Sequence, residues 1–319
     1  MIAGVGELLY LSGADVEALL DIGAMFDALA AALAAYSSGK ASAPPRTAVR
    51  VQHGLLGVMP GHVPGVALES KLVSVFPEND ARGVPSHQGL IAMFDENDGA
   101  PIAIMDATYI TAIRTGGTAA VAARLLARKD AKVLAILGAG AQGRSHLETF
   151  PRVRDFEEIR IASRNPERAA DLAAHHPRAR AVPSFEQAVT GADVVACCTD
   201  AREPILRRDW LSDGTHVSAV GGTFGPELDR ETVLAARVFV EWRGAVTSAP
   251  PAGAHELQGM DPATVTELGE VIAGARPGRT SASEITVYKS TGIAVEDAAT
   301  ARLVYDAALA KGAGTRLPV

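Results

Sequence analysis

Between residues 46 and 106 the apolar side chains come in short runs, RTAVRV, LLGVMP, VALESKLVSVF and GLIAMFD, each stopped by Gly, Pro, Asn or Asp. Runs of this length, punctuated by turn formers, predict the strands of a mainly antiparallel sheet, and Asp98-Gly99 between IAMFDEN and APIAIMD predicts a hairpin. Upstream the texture is helical. Ser12 with Asp15 three residues on can cap one helix and MFDALAAALAAYSSGK supplies a second, so the chain is expected to open with helices. Beyond Arg114 the runs KVLAIL, EIRIAS, ADVVACCT, THVSAV, VFVEW and EITVYKS alternate with helical stretches such as PERAADLAAHH and FEQAVTGA. That alternation predicts a doubly wound parallel sheet, with Ser184 and Gln187 forming a capping box on one crossover helix. The closing stretch GIAVEDAATARLVYDAALAKG predicts an amphipathic helix long enough to return to the front domain. The fold class is therefore α/β, with domains expected at 1–115 and 116–295 and a terminal helical segment at 296–319.

A chain of 319 residues that is 48% hydrophobic can bury a large core, and its length suits two domains. The net charge of -7, with scattered Lys and Arg and no basic block, argues against nucleic acid as a partner. No apolar run approaches the length of a membrane span and no leader pattern is evident, so a cytoplasmic protein without membrane contact is expected. Cys197 and Cys198 sit side by side in an apolar run and read as buried strand. The eight histidines lack ligand spacing, so no metal site is expected.

The stretch VLAILGAGAQGRSHL carries Gly138, Gly140 and Gly143 in the spacing Gly-x-Gly-x-x-Gly, after a predicted strand and opening a predicted helix. In that context the first glycine permits a tight turn, the second admits a pyrophosphate close to the backbone, and the third lets helix pack on sheet. The intervening Ala141 and Gln142 offer backbone N–H groups at the positive end of the helix. A dinucleotide is the expected ligand. In NAD-binding proteins the next strand ends in a carboxylate for the ribose 2'-hydroxyl. Here it ends in Ser163, Arg164 and Asn165, and an arginine there could hold a 2'-phosphate through charge-assisted bonds worth about 1.5–3 kcal/mol. NADP(H) is favoured and NAD(H) remains possible.

Three charged residues interrupt the apolar texture of the front half: Arg46 opening RTAVRV, Lys71 inside VALESKLVSVFP, and Arg114 in DATYITAIRTGGTAA. Each alone could point to solvent. The stretches that hold them, SKLVSVFPEN, GVPSHQGLIAMFD and AIRTGGTAA, together with GAGAQGRSHLE, SAVGGTFGPE and YKSTGIAVEDAA, resemble blocks of the ornithine cyclodeaminase/mu-crystallin family along almost the whole chain. The resemblance implies a homodimer, a Rossmann-type dinucleotide domain, and an N-terminal α+β substrate and dimerisation domain completed by the C-terminal helix. It carries Arg46 and Arg114 over as the pair gripping a substrate carboxylate and Lys71 as the catalytic amine. Thr115, His87, Thr199, Val220 and Ser290 are carried over as cofactor neighbours. A guanidinium fork matches a carboxylate bidentately, and a lysine near two arginines should have a lowered pKa, which suits proton transfer near neutrality.

Two departures bear on the reaction. Family cyclodeaminases place an aspartate where this chain has Thr223, and a second acid where it has Gly57, two residues before Met59. Without them the site is expected to lack an obvious base and a counter-ion for a distal ammonium, so ornithine fits poorly. What the resemblance then implies is an NAD(P)H-dependent ketimine reductase acting on a cyclic 2-imino acid such as pyrroline-2-carboxylate or piperideine-2-carboxylate. Ornithine cyclodeaminase, an amino acid dehydrogenase of the alanine type, condensation of an amine with a keto acid, and a cofactor-dependent binding protein are the alternatives.

Overall fold

The computed structural model describes residues 7–318 and divides into two compact units, one running to Arg114 and resuming at Ile293, the other spanning Thr115–Gly292. The first unit opens with a strand, β1 (Glu7–Leu11), rather than a helix. This corrects the expectation that the chain begins helically: a run of five residues has too few alternations to announce itself, and β1 exists because β6 and β15 flank it. Helices α1 (Gly13–Leu19) and α2 (Ile22–Ser37) follow, the former capped reciprocally by Ser12 and Asp15. Then come β2 (Thr47–Val51), β3 (Gly54–Val63), β4 (Ala67–Val75), β5 (His87–Phe94) and β6 (Pro101–Asp106). They pair antiparallel, with the β5–β6 turn at Asp98-Gly99, where Gly99 adopts φ +77°.

Helix α3 (Thr108–Leu126) carries the chain into the second unit, whose strands are all parallel. In chain order its elements are β7 (Val133–Leu137), α4 (Ala141–Val153), β8 (Glu158–Ala162), α5 (Pro166–Ala173), β9 (Ala179–Ala181), α6 (Phe185–Val189) and β10 (Val194–Cys197). After these come β11 (His216–Ala219), α7 (Arg230–Ala235), β12 (Arg237–Val240), α8 (Gly244–Thr247), β13 (Thr266–Glu267), α9 (Leu268–Ile272) and β14 (Thr286–Lys289). The sheet order β13-β12-β14-β11-β10-β7-β8-β9 reverses direction beside β7, the crevice position where doubly wound sheets bind ligands. Buried runs such as Leu134–Leu137 and Val194–Cys197 explain the near-continuous apolar strands. On α6 the Ser184 hydroxyl accepts from Gln187 N–H at 3.1 Å.

The first unit is completed by α10 (Ala294–Lys311) and β15 (Thr315–Pro318), and α10 packs against α2, β3 and β4. Its first eight residues, Ala294–Ala301, are buried on every side, so the amphipathic helix expected from the sequence is instead enclosed at its N-terminal half. The enclosed residues include Glu296 and Asp297. No single helix among the described residues is long and apolar enough to cross a membrane.

Candidate functional site

The three glycines after β7 occupy three different environments. Gly138 has φ +110°, and a Cβ there would lie 2.6 Å from the Cys198 carbonyl oxygen. Gly143 is in van der Waals contact with the turn, where a Cβ would run into the Gly138 carbonyl. At Gly140 a Cβ would meet nothing within 4 Å. Tight turn, open approach and close packing are thus divided among them as a dinucleotide cradle requires. Gly140 is the N-cap of α4 and offers no side-chain acceptor, so the first amides of that helix, at Ala141, Gln142 and Gly143, are left to a ligand or water. The residues fit a nicotinamide dinucleotide.

At the end of β8, Ser163 Oγ accepts from Asn165 N–H at 3.2 Å, and Asn165 caps α5 through Glu167 and Arg168 N–H. Arg164 is exposed and pairs with Asp200 at 2.8 Å, an acid that follows β10. Thr199, one residue earlier, is held by Glu227, whose carboxylate accepts from Thr199 N–H and Oγ1 at 2.7 Å each and from Gly221 N–H at 2.8 Å. Lys289 at the end of β14 donates to the Gly221 carbonyl at 2.8 Å, lies 3.1 Å from Glu256 and stands 4.0 Å from Glu227. Burial pushes Lys289 down, but Glu256 and Glu227 outweigh it and hold the amine above its ordinary value. Burial lifts the Glu227 carboxyl despite Lys289 and the Thr199 donors. Val220 continues β11, its N–H bonded to Cys197 O at 3.1 Å. The Ser290 hydroxyl donates to Glu241, which also accepts from Tyr288 OH and from Thr291 and Gly292 N–H. Thr199, Val220 and Ser290 therefore all sit at the C-terminal ends of neighbouring parallel strands, Thr199 and Ser290 being held there by the buried carboxylates of Glu227 and Glu241. Thr115 is buried on α3.

In the first unit β4 exposes a buried face on which Lys71 replaces an apolar residue. The lysine is 1 % exposed, and its Nζ lies 2.7 Å from Asp297 Oδ2 on α10. Arg114 on α3 reaches the same carboxylate through Nε at 3.0 Å and Glu296 through Nη1 at 2.7 Å. Burial drives the Lys71 amine from 10.5 down to about 8, against the upward pull of Asp297 and with help from Arg114 and Arg46. Burial pushes the Asp297 carboxyl up, and Arg114 and Lys71 together overcome this and hold it below the ordinary value. Arg46, half-buried one residue ahead of β2, is near enough to act on Lys71 electrostatically. Lys71, Arg114 and Arg46 are thus brought into one electrostatic neighbourhood. His87, first residue of β5, is exposed, with Ser86 Oγ 3.2 Å from its Nδ1, which rules out a role as a buried core histidine.

The expectation that the site lacks an obvious base, drawn from the missing acids at Thr223 and Gly57, is modified by carboxylates from elsewhere in the chain. Asp297, Glu296 and the buried Glu69 all face the site, supplied by α10 and by β4 itself. Adjacent acids in GIAVEDAAT read as the wet face of an amphipathic helix, and only the enclosure of α10 shows otherwise. The isolated acid in VFVEW and the lysine in TVYKS were similar signals, a charge inside an apolar run.

A doubly wound parallel sheet with this glycine turn, joined to a mixed unit holding a buried Lys–Asp–Arg cluster, defines a two-unit protein of the Rossmann type. The chain belongs to the ornithine cyclodeaminase/mu-crystallin family, whose model matches residues 7–312. Mouse ketimine reductase mu-crystallin is 41% identical over 287 residues, 87% of this chain and 90% of the mouse protein. Alanine dehydrogenase of Archaeoglobus fulgidus is 35% identical over 323 residues, covering 98% of both chains. The solved structure of Thermococcus litoralis Delta(1)-pyrroline-2-carboxylate reductase, in complex with NADH and L-proline, matches with a TM-score of 0.91 at 35% identity, covering 97% of this chain and 99% of that one.

Proposed function

We propose that this protein is an NADPH-dependent ketimine reductase that converts a cyclic 2-imino acid, pyrroline-2-carboxylate or piperideine-2-carboxylate, to the cyclic amino acid. The observation that carries the reading is the buried Lys71 held at 2.7 Å by Asp297, with Arg114 on the other oxygen of the same carboxylate. Lys71 stands within electrostatic reach of both Arg114 and Arg46, and this gathering of cations suits a substrate with one carboxylate. Arg46 and Arg114 orient it, and the Lys71 ammonium donates a proton to the imine nitrogen as the carbon is reduced. Asp297 keeps the amine charged and fixed in direction in a place where burial alone would discharge it.

The dinucleotide supplies the hydride when bound. Gly138, Gly140, Ala141, Gln142 and Gly143 would hold its pyrophosphate, and Ser163, Arg164 and Asn165 its adenosine ribose. Thr115, His87, Thr199, Val220 and Ser290 would line the rest. The Arg164–Asp200 pair is exposed, and such pairs contribute only about 0–1 kcal/mol, so a doubly charged 2'-phosphate competes well for the guanidinium. Arg164→Ala should therefore raise KM for NADPH more than for NADH.

The relatives also favour one rival, reversible dehydrogenation of an open-chain amino acid, which would use the same three cations. A panel of pyrroline-2-carboxylate, piperideine-2-carboxylate, pyruvate with ammonium, and ornithine, followed by NADPH and NADH absorbance, separates the readings. Formation of proline or pipecolate supports the reductase, and turnover with no cyclic imine overturns it. The unit that contains Lys71 is also proposed to form a homodimer, which light scattering of the purified protein would test.

A further inference from the structure

Lys71 is not the only ionisable residue on the buried face of β4. Glu69 lies two positions earlier, on the same side of the strand, and is 2 % exposed. Its register partners are Gly61 on β3 and Met93 on β5. The start of α10 closes over it: a Cβ at Gly61 would stand 3.0 Å from Glu69 Oε1 and 2.8 Å from the Ala294 Cβ. Among the described residues neither carboxyl oxygen of Glu69 meets a hydrogen-bond donor. Buried carboxylates are ordinarily paired, so an unpartnered one calls for an explanation other than packing, which an apolar residue would serve better.

The charged groups facing Glu69 are Lys71 on its own strand, Asp297 from α10 and Arg114 from α3. Burial, reinforced by repulsion from Asp297, pushes the Glu69 carboxyl far up, and the attraction of Lys71 and Arg114 does not restore it. The direction of the shift favours the protonated, uncharged form of the acid. Two residues of strand separate the Cα atoms of Glu69 and Lys71 by about 7 Å; the two groups act on each other electrostatically without a hydrogen bond, and a rotation of either side chain brings them together once Lys71 is neutral and released from Asp297.

We propose that Glu69 is the proton store behind Lys71, a positioning residue that refills the buried amine after each proton transfer. The proposal rests on the reductase reading above. The bound dinucleotide would supply a hydride to the imine carbon, and for each one an N–H bond of the Lys71 ammonium breaks as its proton passes to the imine nitrogen. The neutral Lys71 amine then takes the proton of the Glu69 carboxylic acid, breaking that O–H bond and leaving a carboxylate. Water admitted as the product leaves returns one proton to Glu69. One hydride and one proton are consumed for each C=N bond reduced, and the residues end as they began.

The test is Glu69→Gln, which keeps shape and neutrality but carries no transferable proton. In rapid-mixing experiments with NADPH and a cyclic imine, the first turnover should run at the wild-type rate on the proton already on Lys71. Steady-state kcat should fall on the order of tenfold or more, with KM falling alongside it so that kcat/KM for the imine is unchanged. Glu69→Asp should restore part of it. A merely structural defect would slow both phases together, and that result, or wild-type turnover in both phases, overturns the proposal. Infrared spectroscopy provides a readout that needs no catalysis: the carbonyl band of a protonated carboxylic acid should be present in the wild type at neutral pH, missing in Glu69→Gln, and shifted but retained in Glu69→Asp. Absence of that band from the wild type sinks the proton store. Failure of the wild type to reduce any imine sinks the reductase reading instead.

Discussion

A lysine with almost no contact with water keeps its charge only through its neighbours, and Lys71 is balanced close to that limit at a pKa of about 8. A depressed lysine is protonated below its pKa, so the acid form is present at pH 7 and is lost as pH rises through about 8. Imine-reducing turnover should therefore decline above that pH, measured as kcat/KM across the alkaline range. Lys71→Met should lower turnover by roughly 10²–10⁴-fold while dinucleotide binding, followed by cofactor fluorescence, is retained. Lys71, Arg46 and Arg114 were legible in the sequence because a charge within an apolar run is conspicuous. Asp297 and Glu296 were not, because a pair of acids on a helix is ordinarily its solvated face.

At the scale of elements, β7, the glycine turn and α4 form a unit whose parts can be separated by mutation. Gly143→Ala places a methyl against the Gly138 carbonyl and should destabilise the second unit by about 1–3 kcal/mol, read as a lowered Tm. Gly140→Ala meets nothing, so the fold should be unaffected while affinity for the dinucleotide drops, and calorimetric titration distinguishes the two. The ends of β10, β11 and β14 depend on the Glu227–Lys289–Glu256 cluster. Lys289→Met would leave two buried carboxylates without their cation and should cost about 3–5 kcal/mol in denaturant unfolding. Strand and helix periods were readable for most elements, but not for β1, whose pairing with β6 and β15 depends on residues far away in the chain.

Across the whole molecule, two histidines are buried in the neutral form, and this sets a pH dependence of stability. Burial lowers His146 on α4 to about 4, partly opposed by the Gln142 carbonyl, and lowers His216 on β11 to about 3, with Arg279 and Arg154 adding to the effect. The unfolded chain takes up protons at these residues near pH 6.5, before the folded chain can, so stability is lost as pH falls below about 6.5 and the loss continues towards pH 4. Urea titrations between pH 7 and 5 should show the unfolding free energy falling with a slope that corresponds to up to two protons, and a flat profile would contradict the buried neutral assignment.

The linear order of residues determined the periodicity of most strands and helices, the glycine turn and the positions of the three cations, because each depends on neighbours within a few residues. It could not determine which charges meet. Arg114 and Asp297 are 183 positions apart, and their contact follows from enclosure of α10 against β3 and β4, a packing event driven by apolar area and shape along the whole helix. The same enclosure makes Glu69 an unpartnered acid instead of an ordinary strand residue, since the cost of charge depends on how much water the surrounding structure excludes.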